Sequence, residues 1–230
     1  MRFSDLPALV VHLRPYRESS AMVQFFTRQE GRLVGVMKGL HRRRHPISVQ
    51  PFCYGTLSCV GRGGLMTVTQ FDVTGRYTLV GDILSAGFYV LELISRCLDE
   101  KQAEPILFDA TLQVLAKLQS EAAMAPILRD YELQLLEGLG YGINFELEAA
   151  SGRAIVREAE YVFDAQSGFC QANVNGAGYP GWVLQSISRR EFADPQVRRL
   201  AKQLNRAALA PLLGPAPLVS RSLFTGGARG

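Results

Sequence analysis

The spacing of apolar residues changes near residue 80, and that change limits the folds open to this chain. Before it, short β-prone runs alternate with turn signals; after it, apolar side chains recur every three or four positions. In the first part, Ala8–Leu13 and Ala21–Thr27 flank a turn-like stretch at 14–20. Gly31–Lys38 follows as a hairpin partner across Gln29-Glu30-Gly31, and Phe52–Val60 and Leu65–Val73 form another hairpin across the glycine-rich 61–64. Five short strands predict a small barrel.

In the second part, Leu84, Phe88, Leu91, Ile94 and Leu98 share one helical face. Pro105 stands where a second helix starts, with Phe108, Leu112 and Leu115 on its apolar side. Leu128, Tyr131, Leu135 and Leu139 define a third, which Gly140 stops. Tyr161–Phe163 and Phe169–Gln171 read as a small hairpin around Ser167-Gly168, and Asp194-Pro195 caps a last helix carrying Val197, Leu200, Leu204 and Ala208. The expected fold is multidomain α and β. A five-stranded OB-fold barrel over 1–79, a Greek-key design that binds oligonucleotides across one face, precedes a mainly α-helical domain over 80–230. That second domain holds the hairpin near 161–171 and a disordered tail from about 225.

Charge divides at the same place. Residues 1–80 carry eleven Lys and Arg against four Asp and Glu, a net of +7, whereas residues 81–230 carry fourteen against seventeen, a net of −3. A concentrated positive field captures polyanions, so nucleic acid is the first candidate partner. The densest run is Lys38 with Arg42, Arg43 and Arg44, between strands three and four. Guanidinium groups offer phosphate a rigid fork of donors and hold their charge at any physiological pH. Arg14, Arg17, Arg32 and Arg62 stand at strand ends or turns and extend the track, and Tyr16 is the candidate for base stacking. A second cationic set, Arg198, Lys202 and Arg206, recurs every four residues on the last helix, with Arg199 beside it and Arg189 and Arg190 just before. A plainer reading of each set is a solvated charged face. Two separated DNA-binding patches would hold two strands at once.

Other chemistry is thin. No apolar run reaches the roughly 18–20 residues that span a bilayer, and the first residues lack a signal-peptide pattern, so the expectation is a cytoplasmic, nucleoid-associated protein without membrane contact. Cys53, Cys59, Cys97 and Cys170 show no paired spacing and suit a reducing compartment. His41 and His45 with Cys53 and Cys59 have a metal-like composition, but the intervening arginines oppose a cation. Gly138-Leu139-Gly140-Tyr141-Gly142 lacks the Lys-Ser/Thr of a phosphate-binding loop. No catalytic set, metal or cofactor is expected.

Several blocks carry a family resemblance. They are Arg14-Pro15-Tyr16-Arg17-Glu18-Ser19-Ser20, Phe26-Thr27, Gly31-Arg32-Leu33, Lys38-Gly39, Gln50-Pro51-Phe52, Gly61-Arg62-Gly63 and Leu65 through Thr67. Tyr131-Glu132-Leu133 through Leu139-Gly140-Tyr141-Gly142-Ile143-Asn144-Phe145 and Ser220-Arg221-Ser222-Leu223-Phe224 complete the set. In order and spacing they resemble RecO, the bacterial DNA repair and recombination mediator, over nearly the whole chain. Some RecO proteins hold zinc on four cysteines in the segment corresponding to 147–172; only Cys170 stands there, so the chain resembles the zinc-free branch.

The resemblance implies binding to single- and double-stranded DNA, annealing of complementary strands, and RecA loading with RecR, and in some species RecF. It also implies a site for the acidic, aromatic C-terminal tail of single-strand binding protein. By resemblance Arg129 and Leu139 fall there, and their spacing of ten residues, close to three helical turns, lets both face one side. The alternative reading of the residues is an OB-fold RNA-binding or ribosome-associated factor; a third is a zinc-dependent enzyme.

Overall fold

The computed structural model describes residues 1–39, 49–62, 65–120, 123–172, 178–220 and 223. The basic run Arg42–Arg44, His41, His45 and the tail from 225 therefore lie outside the described residues. The chain divides into two compact units, Met1–Glu121 with Pro217–Gly230, and Ala122–Ala216.

In the first unit, β1 (Arg2–Tyr16), β2 (Ser20–Thr27), β3 (Gly31–Lys38), β4 (Cys53–Arg62) and β5 (Leu65–Arg76) close into a barrel of order β1-β2-β3-β5-β4. This is the five-stranded barrel that the strand count predicts. The long β1 closes it by serving two neighbours. Its first half pairs with β4, from Arg2↔Val60 to Leu9↔Tyr54, and its second half with β2, from Ala8↔Thr27 to Tyr16↔Ser20. The parallel pairing Val34↔Leu65 to Met37↔Val68 joins β3 to β5. Alternate residues point inward, so Val10, Val23, Phe25, Leu33, Leu57 and Phe71 fill the barrel, with the Phe25 and Phe71 rings 5.1 Å apart. Cys53 and Cys59 are buried in the same core.

Two helices, α1 (Gly81–Cys97) and α2 (Pro105–Ser120), belong to this unit. Phe88 of α1 packs on Phe52 at 5.0 Å, and Phe108 of α2 packs edge-on against Phe26 at 5.3 Å. The β2–β3 turn seats tightly against the loop between them. Gly31 has φ +63°, and a Cβ there would lie 1.9 Å from the Gln102 carbonyl oxygen, so only glycine fits.

The second unit holds α3 (Met124–Gly138), the small sheet of β6 (Glu160–Asp164), β7 (Gly168–Gln171) and β8 (Tyr179–Pro180), then α4 (Gly181–Ser188) and α5 (Pro195–Leu213). Gly140, at φ +81°, ends α3 with Gly140 N–H on the Glu137 carbonyl and Tyr141 N–H on that of Leu136, a Schellman closure. Asp194 caps α5, accepting from the N–H groups of Gln196 at 2.6 Å and Val197 at 3.4 Å. Phe169, Val183, Leu184, Ile187, Val197 and Leu204 form the core. The fold is thus mixed α and β, with a barrel, five helices and a small β insertion among the described residues.

Candidate nucleic-acid interface

Strand register assembles one end of the barrel from three separate sequence positions. Tyr16 pairs with Ser20, and Ser20 pairs with Lys38, so the β1–β2 turn lies beside the end of β3. Arg14 sits two residues back, opposite Met22, and one of its guanidinium nitrogens donates to the Met22 sulfur at 3.0 Å. Arg14, Arg17 and Lys38 are exposed, and Tyr16 is half-buried. Arg17 takes φ 55° and carries its guanidinium carbon 5.2 Å from the centre of the Tyr16 ring. Arg42, Arg43 and Arg44 follow Lys38-Gly39 in the sequence and lie outside the described residues. Four of the expected DNA-binding or stacking positions therefore meet at one end.

Arg32 stands apart from them. It pairs with Phe26 while Lys38 pairs with Ser20, and six residues of strand separate the two by roughly 20 Å. Its Nε donates to the Leu98 carbonyl at 3.0 Å, and its own carbonyl accepts from Lys101 N–H at 3.2 Å, so it fastens β3 to the loop after α1. Arg62 ends β4 opposite Leu65, and only its backbone is described.

Nothing in the local sequence singles out Arg28, yet it holds Asp109 of α2 through two nitrogens, Nε at 3.0 Å and NH2 at 2.9 Å. The Arg28 hydrogen bonds hold the Asp109 carboxyl below its ordinary value and raise the Arg28 guanidinium in turn. Burial pushes the Cys97 thiol up to about 11, which keeps it protonated and unreactive at neutral pH.

On α5 the cations separate by role. Lys202 and Arg206 are exposed, as is Arg199, opposite the buried Val197, Leu200, Ala201 and Leu204. Arg198 instead turns back, donating from NH1 to the carbonyls of Phe192 at 2.8 Å and Ala193 at 2.5 Å, which ties down the turn before the helix. Arg190 bridges Asp130 at 3.4 Å and Glu137 at 2.5 Å on α3. Only Arg189, Arg199, Lys202 and Arg206 of this group remain on the open surface.

Arg129 and Leu139 occupy different settings. Arg129 is 7% exposed, with NH2 on Glu132 Oε1 at 2.6 Å. Glu132 Oε2 accepts from Asn205 Nδ2 at 2.8 Å, and the same amide reaches the Arg129 carbonyl at 3.1 Å. This is a buried polar triad between α3 and α5, in which Arg129 Nε and Asn205 Oδ1 have no hydrogen-bond partner among the described residues. Leu139 is the half-buried C-cap of α3. Ten residues fall about 80° short of three turns, so the two side chains are not on one line of the helix.

Among the described residues no group of three or more His, Cys, Asp and Glu is arranged to hold a metal ion, and no helix is long and apolar enough to cross a membrane. The model for the N-terminal part of recombination protein O matches residues 1–77, and that for its C-terminal part matches residues 80–222. The DNA repair protein RecO of Actinobacillus pleuropneumoniae serotype 7 (strain AP76) is 38% identical over 221 residues, covering 94% of this chain and 92% of that protein. The DNA repair protein RecO of Haemophilus influenzae (strain 86-028NP) is 36% identical over 220 residues, covering 94% and 93%. Two family matches that together span nearly the whole chain, on a barrel whose basic end suits nucleic acid, agree with the sequence blocks: the chain belongs to the RecO family.

Proposed function

We propose that this chain is a DNA repair and recombination mediator that binds single- and double-stranded DNA, anneals complementary strands and, with RecR, promotes RecA loading onto DNA coated by single-strand binding protein. Family membership supports the repair role. The observation that carries the DNA-binding part is the register Tyr16↔Ser20↔Lys38, which gathers Arg14, Arg17 and Lys38 at one end of the barrel.

The mechanism is electrostatic and stoichiometric, and no covalent bond changes. Arginine and lysine side chains neutralise phosphates and release condensed counterions, which lowers the repulsion between two strands approaching to pair. Phosphate contacts carry no base information, so sequence preference is weak. Arg199, Lys202 and Arg206 on α5 supply a second cationic face for a second strand. The acidic tail of single-strand binding protein docks on the second unit near Leu139. Arg129 is buried with its NH2 held by Glu132, so it shapes the floor of that region from within α3 rather than meeting the tail directly.

Salt titration of binding to a labelled single strand tests the reading. Log K is expected to fall linearly with log salt, and Lys38→Ala to reduce the slope by about 0.7. A salt-independent affinity, or an unchanged slope when Lys38, Arg42, Arg43 and Arg44 are all replaced in a folded protein, would remove this end of the barrel from the mechanism. Preferential binding to an RNA strand of the same sequence would favour an RNA-binding role instead.

A further inference from the structure

The Tyr16–Arg17 pair is more than two members of a charge track. Arg17 adopts φ 55°, a left-handed conformation in which a side chain is strained and glycine is at ease. The β1–β2 turn nevertheless places an arginine there, and the turn directs its guanidinium over the ring of the preceding residue, 5.2 Å from the centroid. Arg17 is exposed, and among the described residues no hydrogen bond or ion pair draws its guanidinium away. The half-buried Tyr16 ring thus lies beneath the Arg17 guanidinium at the barrel end.

We infer that Arg17, placed over the Tyr16 ring, is a stacking platform for unpaired bases and gives this site a preference for single-stranded over duplex DNA, an inference that rests on the DNA-binding reading above. Guanidinium planes stack on bases as aromatic rings do, and every base offers a π face, so the contact is sequence-tolerant. A duplex keeps its bases stacked on one another and offers this platform only phosphates. Tyr16 therefore acts as a positioning residue for Arg17: its ring holds the guanidinium at the barrel end, and Arg17 is the residue that meets the base. The neighbouring Glu18 is exposed and sets a negative charge beside the same turn, which opposes a purely phosphate-directed role for the tip.

Three labelled probes separate plane from charge: a single strand, an abasic single strand with the same number of phosphates, and a duplex. The wild-type chain is expected to bind the base-bearing strand roughly fivefold or more tightly than the abasic one. Arg17→Lys keeps the charge and loses the plane, so it should erase most of that ratio while leaving the abasic and duplex affinities within about twofold. Arg17→Gly suits the left-handed backbone and guards against misfolding; it should also erase the ratio and weaken all three probes by the loss of one charge. Equal wild-type affinity for base-bearing and abasic strands, or a ratio untouched in both variants, would overturn the platform while leaving the electrostatic reading intact. No binding of any probe by the wild type would overturn the DNA-binding reading and the platform with it.

Discussion

Glu92 of α1 accepts the backbone N–H of Ser220 at 2.9 Å, a contact across 128 residues of sequence, and its other oxygen takes that of Val219 at 2.8 Å. Arg96, one turn further along α1, donates to the Pro217 carbonyl at 3.2 Å and lies 3.8 Å from Glu92. One carboxylate thus holds the returning C-terminal segment against the helix that packs on the barrel. Glu92→Ala is expected to lower stability by about 1–3 kcal/mol, since it removes two charge-assisted hydrogen bonds from a mostly buried group. Hydrogen exchange should accelerate first at Val219 and Ser220. Unchanged exchange there in a folded variant would show that the clamp is not what holds the segment.

Acid should loosen the junction of Arg28 and Asp109. The Asp109 carboxyl is held below its ordinary 3.8 chiefly by the Arg28 hydrogen bonds. A depressed folded value contributes stability that is present above 3.8 and is lost as pH falls through the lower folded value. Both side chains are nearly half exposed, so the effect is small and weakens with salt. Melting curves at pH 6 and pH 3 should show a smaller acid loss for Asp109→Asn than for the wild type; an equal loss would place the acid sensitivity elsewhere.

Breaking the triad of Arg129, Glu132 and Asn205 is predicted to destabilise the second unit by about 3–5 kcal/mol, because Arg129→Ala leaves the carboxylate of Glu132 buried without its cation. Charge reversal at Arg129 would set two carboxylates together and is expected to be worse. A test of tail binding is therefore better made with Leu139→Asp, which should weaken capture of an acidic, Phe-terminated peptide and leave binding to naked DNA unchanged. Equal peptide affinity in that variant would take Leu139 out of the proposed docking site.

Asp194→Ala should cost about 1 kcal/mol by exposing the first N–H groups of α5. A melting temperature unchanged within error would mean that Pro195 and the Arg198 contacts alone hold the helix start.

The sequence made β3 easy to read and β1 hard. Gly31–Lys38 alternates cleanly and is bounded by glycines, and the observed strand has those limits. Asp5 and Pro7 make the first residues look like a turn, yet β1 runs from Arg2 because Asp5 takes φ 55° beside a bulge between Phe3 and Leu6, and Pro7 still pairs with Thr56. Strand β8 and helix α4 are two and eight residues long, too short for a period to declare itself. At the site, residue type announced the cations but not their partners. Arg32 meets a carbonyl 66 residues away, a separation invisible to spacing, whereas the short link of Arg198 to the Asp194 turn could be suspected only once a helix start was fixed there. Tyr16 and Arg17 were legible as neighbours; that one covers the other depends on a left-handed backbone that arginine does not advertise.

The most direct test of the account is annealing of complementary oligonucleotides coated with the cognate single-strand binding protein, without nucleotide. Pairing is expected to be faster than in a control lacking this chain, with the gain reduced when Arg14, Arg17 and Lys38 are replaced together. No acceleration by the folded wild-type chain, with naked DNA still bound, would contradict the mediator role and leave a basic barrel that binds DNA without bringing strands together.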